Sequence, residues 1–272
     1  MNSAQPDDGH LALIGAGVMG ETLLAGLLRA GWDVSSIVGA DRRGFRRDEL
    51  RERYGISMVS DREAARGAGT VLLVVKPQDV ADVLPGIGEE MPPGTLVISL
   101  CAGVSTATLE AGLPLGTPVV RVMPNTPAQV AEGMAAVSGG SHAQTQHLAR
   151  ASEIMTAVGK AVTVPEKYQD AVTAISGSGP AYLFFVVEAM IDAGVMLGLP
   201  RDTATLLVNQ TVFGSAKLLV ESGEHPTVLR ERVTSPAGTT AAALRQLEER
   251  SVKAAFMTAL EAARDRSAAM GG

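Results

Sequence analysis

One cysteine, Cys101, stands among 272 residues, so no internal disulfide can form and the chain fits a reducing compartment. Basic charge is scarce as well: 23 Lys and Arg against 29 Asp and Glu leave a net charge of −6 and a pI near 5.3. A general nucleic-acid binder would normally carry a basic face, so small molecules are the expected partners. Of the four histidines none is spaced as a metal pair, and no metal is expected. The start, MNSAQPDDGH, has no Lys or Arg, so residues 1–10 read as a flexible leader rather than a signal peptide, and the expected location is cytoplasmic. A long uncharged apolar run is also missing. The nearest candidate, Ala181 to Leu199, carries Glu188 and Asp192 near its middle, which argues against a membrane span and for a buried helix of a soluble protein.

What is present is an alternation. From Leu11 to about Val164 the apolar runs LALIG, SSIVGA, TVLLVV, TLVISL and PVVRVM are each followed by turn residues or an amphipathic segment. This is the rhythm of a parallel sheet with crossover helices, an α/β doubly wound domain of the Rossmann type. EGMAAVSGG and AVTVP add two strands around a helix from His142 to Val158. After Pro165 helical patterns take over, with starts at Pro180, Pro200 and Pro226 and stops at Gly198 and Gly223. The boundary is placed at 164, leaving 11–164 for the dinucleotide-binding domain and 165–272 for an all-helical one. The stretches Ala181 to Leu199 and Arg201 to Val220 are apolar over most of their circumference, which a small isolated domain cannot bury. An intertwined dimer is the expected remedy.

The first strand runs into Gly15-Ala16-Gly17-Val18-Met19-Gly20 and then an amphipathic helix. The glycines permit the tight turn, the approach of a pyrophosphate and close helix packing, and the helix start offers unpaired N–H groups. The second strand ends in Asp41-Arg42-Arg43, where the acid suits the ribose of NAD and the arginines suit the 2′-phosphate of NADP. With Arg46 and Arg47 following, the balance tips toward NADPH, with NADH possible and a merely solvated turn as the alternative. Val75-Lys76-Pro77, Cys101-Ala102-Gly103 and Pro124-Asn125-Thr126-Pro127 follow later strands and should face the same cofactor. Cys101 has no basic neighbour in sequence and reads as a packed small side chain, not a nucleophile.

In the helical half, Ser176-Gly177-Ser178-Gly179-Pro180 precedes the longest apolar helix and reads either as a carboxylate-binding helix start or as a tight crossing point. Thr234-Ser235-Pro236-Ala237-Gly238-Thr239-Thr240 is a second segment of amides and hydroxyls, made of poor helix formers. Neither carries an acid or base, and Glu188 and Asp192, four apart on one helix face, read as a wet edge or an interface hydrogen bond rather than as paired catalytic carboxylates. β-Hydroxyacid dehydrogenases have a pattern that would need Lys at 183 and Asn at 187, where this chain has Leu183 and Val187.

The glycine-rich start, VVKPQDV, VVRVMPNTPAQVAEG, AISGSGPAYLF and above all HPTVLRERVTSPAGTTAAALRQLE closely resemble pyrroline-5-carboxylate reductase, from Leu11 to about Ala269. The resemblance implies hydride transfer from NAD(P)H to the C=N carbon of 1-pyrroline-5-carboxylate, giving L-proline in the last step of proline biosynthesis. A cyclic imine can take its proton from solvent, which fits the missing base. Carried over, the substrate carboxylate would be held around Ser235, Gly238 and Thr239, with Ser178 nearby, and Thr240 would bond the ring nitrogen. Gly15 to Gly20, Val75, Lys76, Pro77, Cys101, Ala102, Gly103 and Asn125 would line the cofactor. The family also implies an interlocked dimer, often further assembled to a decamer, with the substrate site completed across the dimer interface. Two departures stand out: Ala237 replaces a common glycine, and VSDREAARGAG lacks an asparagine used near the adenosine ribose, with Asp61 or Arg62 in that neighbourhood.

Overall fold

The computed structural model describes residues 9–271; the expected leader lies, up to residue 8, outside them. One compact unit runs to Ser178 and takes in the chain end from Ala263, and the other is Gly179–Ala262.

The first unit is built on strands β1 (His10–Ile14), β2 (Ile37–Ala40), β3 (Ser57–Val59), β4 (Ala68–Leu73), β5 (Leu96–Ser99), β6 (Val119–Met123), β7 (Gly133–Gly139) and β8 (Gly159–Thr163). They form one sheet in the order β3-β2-β1-β4-β5-β6-β7-β8. Every pairing is parallel except β6 with β7. That exception has a simple cause: residues 124–132 leave room for a 3-10 turn at Thr126–Val130 but not for the helical crossover that a parallel neighbour needs. Helices α1 (Val18–Arg29), α2 (Gly44–Tyr54), α3 (Asp61–Ala65), α4 (Val80–Glu90), α5 (Thr106–Ala111) and α6 (Thr145–Thr156) connect the strands. Side chains alternate across β1, Leu11 and Leu13 entering one core with Leu23 and Leu27 of α1, Ala12 and Ile14 entering the other with Leu84 and Ile87 of α4. Both faces are covered, so the strands are continuous apolar runs.

Beyond the sheet come α7 (Gln169–Val172), a π-helical turn at Thr173–Gly177, α8 (Gly179–Met196), α9 (Arg201–Ser222), α10 (Pro226–Arg232), α11 (Thr239–Glu249) and α12 (Val252–Gly271). One expectation is corrected here. Ser176-Gly177-Ser178-Gly179-Pro180 is no free helix start: the chain is almost continuously helical from Glu166 to Met196, and the Ser178 N–H is already bonded to the Thr173 carbonyl at 2.8 Å. Pro180 has no N–H and crowds the carbonyl of Ser176, so the widened π turn just before it accommodates the proline without ending the helix. Within a single chain no residue of α8 is buried, and Phe184 and Phe185 are 64% and 72% exposed, so the burial expected of this helix is not supplied by one copy. Glu166–Met196 is long and apolar enough, by length and composition, to cross a membrane. Within the second unit α8 and α9 meet where Gly194 packs on Ala204, a Cβ on the glycine coming within 3.0 Å of the Ala204 methyl.

Between α10 and α11 the Gly238 N–H bonds the Ser235 carbonyl at 3.0 Å, and Ala237 sits at φ 58°. A Cβ in that left-handed region costs about 1–2 kcal/mol, partly offset by the smaller unfolded-state entropy of alanine. Ala237→Gly is expected to stabilise the protein by roughly 0.5–1 kcal/mol, read as a higher urea midpoint; an unchanged or lower midpoint would contradict the strain.

Candidate cofactor site

The sheet order reverses direction between β1 and β4, so a crevice opens beyond their carboxyl ends. A cavity of about 580 Å³ lies there, lined among others by Gly15, Gly17, Asp41, Arg42, Arg47 and Lys76. The three glycines of the loop have separate roles. Gly15 has φ 97° and lies so close to β4 that a Cβ would come within 2.7 Å of the Val74 carbonyl. Gly20 meets the Gly15 carbonyl, which closes α1 onto β1. At Gly17 a Cβ would meet nothing, because it would point into open space where a pyrophosphate must approach. Gly17 is also the N-cap of α1 and makes no side-chain cap bond, leaving first-turn N–H groups for an anion. The residues present therefore fit a dinucleotide.

The loop is held from the β2–α2 turn. The Ala16 N–H donates to Asp41 Oδ2 at 3.1 Å, and the Ala16 carbonyl accepts from Arg46 Nε at 2.8 Å. Asp41 Oδ1 accepts from both the backbone N–H and the Nε of Arg43 at 2.9 Å, and Oδ2 accepts from Arg43 Nη2 at 2.9 Å. Arg46 also pairs with Glu21 of α1 and with Glu49, and Glu21 accepts from Arg53 Nη1 at 2.6 Å and the Tyr54 hydroxyl at 2.9 Å. Burial opposes ionisation of Asp41 and Glu21, but the bonds and charges of Arg43 on the one, and of Arg46, Tyr54 and Arg53 on the other, hold both carboxyls below their usual values. Arg47 Nη1 donates to the Asp41 carbonyl at 2.7 Å, and Arg42 makes a loose 3.3 Å contact with Asp79.

The remaining expected residues are spread along the same carboxyl edge. Val75 and the exposed Lys76 line the cavity, and Pro77 opens a short 3-10 turn beside them. Val18, Met19 and Gly20 begin α1. Cys101, Ala102 and Gly103 follow β5; Cys101 is 2% exposed, its thiol donates to the Val75 carbonyl at 3.3 Å, and burial pushes its pKa up. That environment suits packing, not nucleophilic attack. Asn125 follows β6 and uses its Oδ1 to accept from the Met134 N–H at 2.8 Å. Ser60, Asp61, Asp79 and Asp82 also line the cavity. Ser60 was missed as a lining residue, although the capping box it forms with Glu63 is readable as Ser-x-x-Glu in sequence. In the second unit Gly238 caps α11, again without a side-chain bond, so Thr239 and Thr240 bring hydroxyls and open N–H groups to one helix start. Thr240 is half-buried there and Ser235 exposed; Ser178, in the first unit, is half-buried at the end of the π turn.

Residues 166–270 match the family model for pyrroline-5-carboxylate reductase dimerisation, and residues 10–103 match that for NADP oxidoreductase, coenzyme F420-dependent. A pyrroline-5-carboxylate reductase of Corynebacterium melassecola is 44% identical over 96% of this chain and 98% of its own. The chain belongs to the pyrroline-5-carboxylate reductase family. Another such reductase, from Methanosarcina acetivorans, is also 44% identical, over 96% of this chain and 97% of its own. The solved pyrroline-5-carboxylate reductase of Coxiella burnetii superposes with a TM-score of 0.93 at 34% identity, covering 98% of this chain and all of its own. The Plasmodium falciparum pyrroline carboxylate reductase, solved with NADP bound, gives 0.86 at 32% identity over 97% and 98% of the two chains.

Two predictions concern this reductase's glycine loop. Gly17→Ala should fold with little change in melting temperature yet bind NADPH at least about tenfold more weakly, whereas Gly20→Ala should lower the melting temperature itself; titration calorimetry and thermal unfolding together separate the two. Because the folded pKa values of Asp41 and Glu21 are depressed, the stability they supply is fully present above the unfolded values of about 4 and is lost as pH falls through the folded ones. Urea midpoints measured from pH 7 down to 3 should drop below about pH 4, and less steeply in Glu21→Gln; equal slopes would reject the assignment.

Proposed function

We infer that the protein reduces 1-pyrroline-5-carboxylate to L-proline with NAD(P)H, the last step of proline biosynthesis. The observation that carries this reading is end-to-end relatedness, 44% identity over 96% of the chain to a pyrroline-5-carboxylate reductase, in a chain that has both the glycine cradle and the hydroxyl turn. When bound, the nicotinamide supplies a hydride to the imine carbon, and the ring nitrogen ends the reaction as an amine. The chain's own part is to bind and orient. Backbone N–H groups at the start of α11, with Ser235, Gly238 and Thr239, hold the substrate carboxylate by the same helix-terminus chemistry that holds a phosphate at α1. The Thr240 hydroxyl bonds the ring nitrogen, and Ser178 adds a hydroxyl on the carboxylate side. No general base is required of the protein, because the hydride goes to an imine and not from an alcohol.

In this reading residues 11–164 carry the dinucleotide and 165–272 carry dimerisation and substrate. The cofactor-lining set includes Met19, Pro77, Cys101, Ala102, Gly103 and Asn125 beside the cavity residues. The exposed apolar sides of α8 and α9 are covered by a second copy, since so large an apolar area marks an interface, and dimers assemble further, up to a decamer. The enzyme works in the cytoplasm on a small molecule, without nucleic acid or membrane.

Purified protein mixed with NADPH, or separately NADH, and racemic 1-pyrroline-5-carboxylate should lose nicotinamide absorbance as proline appears. No oxidation with either cofactor by folded dimer would overturn the assignment. Thr240→Ala should lower turnover at least roughly tenfold, about 1.4 kcal/mol of barrier, and unchanged turnover would remove Thr240 from its role.

A further inference from the structure

Asp41 ends β2, where an acid ordinarily accepts from the adenosine ribose hydroxyls. Its two oxygens offer about four acceptor positions. All are taken: Oδ1 by the N–H and Nε of Arg43, Oδ2 by Arg43 Nη2 and the Ala16 N–H. The carboxylate is 6% exposed, and Arg43 is further held over the Phe45 ring at 5.8 Å. To receive a ribose diol, Asp41 must release either a bidentate arginine, which is among the stronger side-chain pairings, or the Ala16 N–H that fixes the glycine loop. Arg42, Arg43 and Arg47 all line the cavity with Ser60, and the Arg42 side chain is 72% exposed, its one ion pair among the described residues being the 3.3 Å contact to Asp79.

We propose that Arg43 sets the cofactor preference of this site: by filling three of the four acceptor positions of Asp41, the fourth going to the Ala16 N–H, it removes the diol acceptor that NADH would use, and leaves the 2′ position to be read as a phosphate by the neighbouring cations. Arg43 is thus a specificity-determining residue acting through Asp41, and Asp41 is a positioning residue for the Ala16 peptide. The inference rests on the nicotinamide-dependent reading of the site, not on which imine is reduced. Acids are present in the cavity besides Asp41: Asp79 faces Arg42, and Asp61 and Asp82 stand at the ends of other elements. None of them contacts the glycine loop through the bonds described above, so of the acids lining the cavity Asp41 is the one that links the adenosine end to the pyrophosphate end.

The test uses adenosine fragments on the full-length protein, so that it reads binding and needs no imine. By titration calorimetry the unaltered protein should bind 2′,5′-ADP at least about tenfold more tightly than 5′-AMP. In Arg43→Ala and Arg43→Gln that ratio should fall at least tenfold, with 5′-AMP binding itself tightened, and the tightening should vanish when Asp41→Asn is added. A ratio within twofold of the original in both Arg43 variants overturns the proposal. So does an unaltered protein that prefers 5′-AMP or binds neither fragment, or an Asp41→Asn variant that weakens 5′-AMP more than 2′,5′-ADP, since Asp41 would then already serve the diol. A protein that shows the expected fragment ratios but turns over no pyrroline carboxylate would refute the reductase reading and leave this one standing.

Discussion

The peptide of Ala16 is the point on which the cofactor site depends. Its N–H is held by Asp41 and its carbonyl by Arg46, so both polar groups between Gly15 and Gly17 are fixed by side chains from the end of β2 and the first turn of α2. A glycine-rich loop is conformationally permissive, and that freedom would otherwise have to be given up when a ligand binds. Holding the residue between the glycines by charge-assisted bonds pre-orders the loop while leaving Gly17 open. The clamp is itself balanced: Glu21, one turn into α1, would oppose an anion at that helix start, and Arg46 and Arg53 neutralise it.

The same arginines explain why the sequence was ambiguous at this turn. Asp41-Arg42-Arg43 presents one cue for each cofactor, and residue identity alone does not say which charges are spent on each other. In three dimensions Arg42, Arg43 and Arg47 line the cavity, but Arg43 is engaged with Asp41 and Arg42 loosely with Asp79, while Arg46 is engaged with Glu21 and Glu49. A count of basic residues therefore overstates the cationic capacity of the site, because several of them serve the protein's own carboxylates.

Much of the fold was legible because its rules are local. Continuous apolar strands, a Gly-x-Gly-x-x-Gly turn and prolines at the starts of α9 and α10 each follow from backbone or burial constraints that a short window contains. The parts that escaped were not local. β3 has three residues at the sheet edge, too short for any periodicity. The reversal of β7 depends on the length of a connection and on which neighbour is free. Ser176 to Pro180 has every local mark of a helix start, yet its flanking helices are one run, and a π turn absorbs the proline that should have separated them.

The helical half poses the opposite problem, since its most legible property, all-round apolarity, predicts burial that a single chain does not supply. Phe184, Phe185, Leu206 and Phe213 are each more than 60% exposed, while the sheet unit has two filled cores of its own. At about 25 cal/mol per Å² of apolar surface removed from water, even a few such side chains would give several kcal/mol on being covered. The exposed sides of α8 and α9 lie within residues 166–270, the part that matches the dimerisation family model, and their pattern is that expected of an interface. Hydropathy alone cannot distinguish that from a membrane span, and Glu166–Met196 passes the length and composition test for either. The distinguishing feature is where polar groups fall. Glu188 and Asp192 put charge in the C-terminal third of that stretch, and Arg201 at the start of α9 pairs Asp192 at 2.9 Å, an arrangement that suits a wet protein interface.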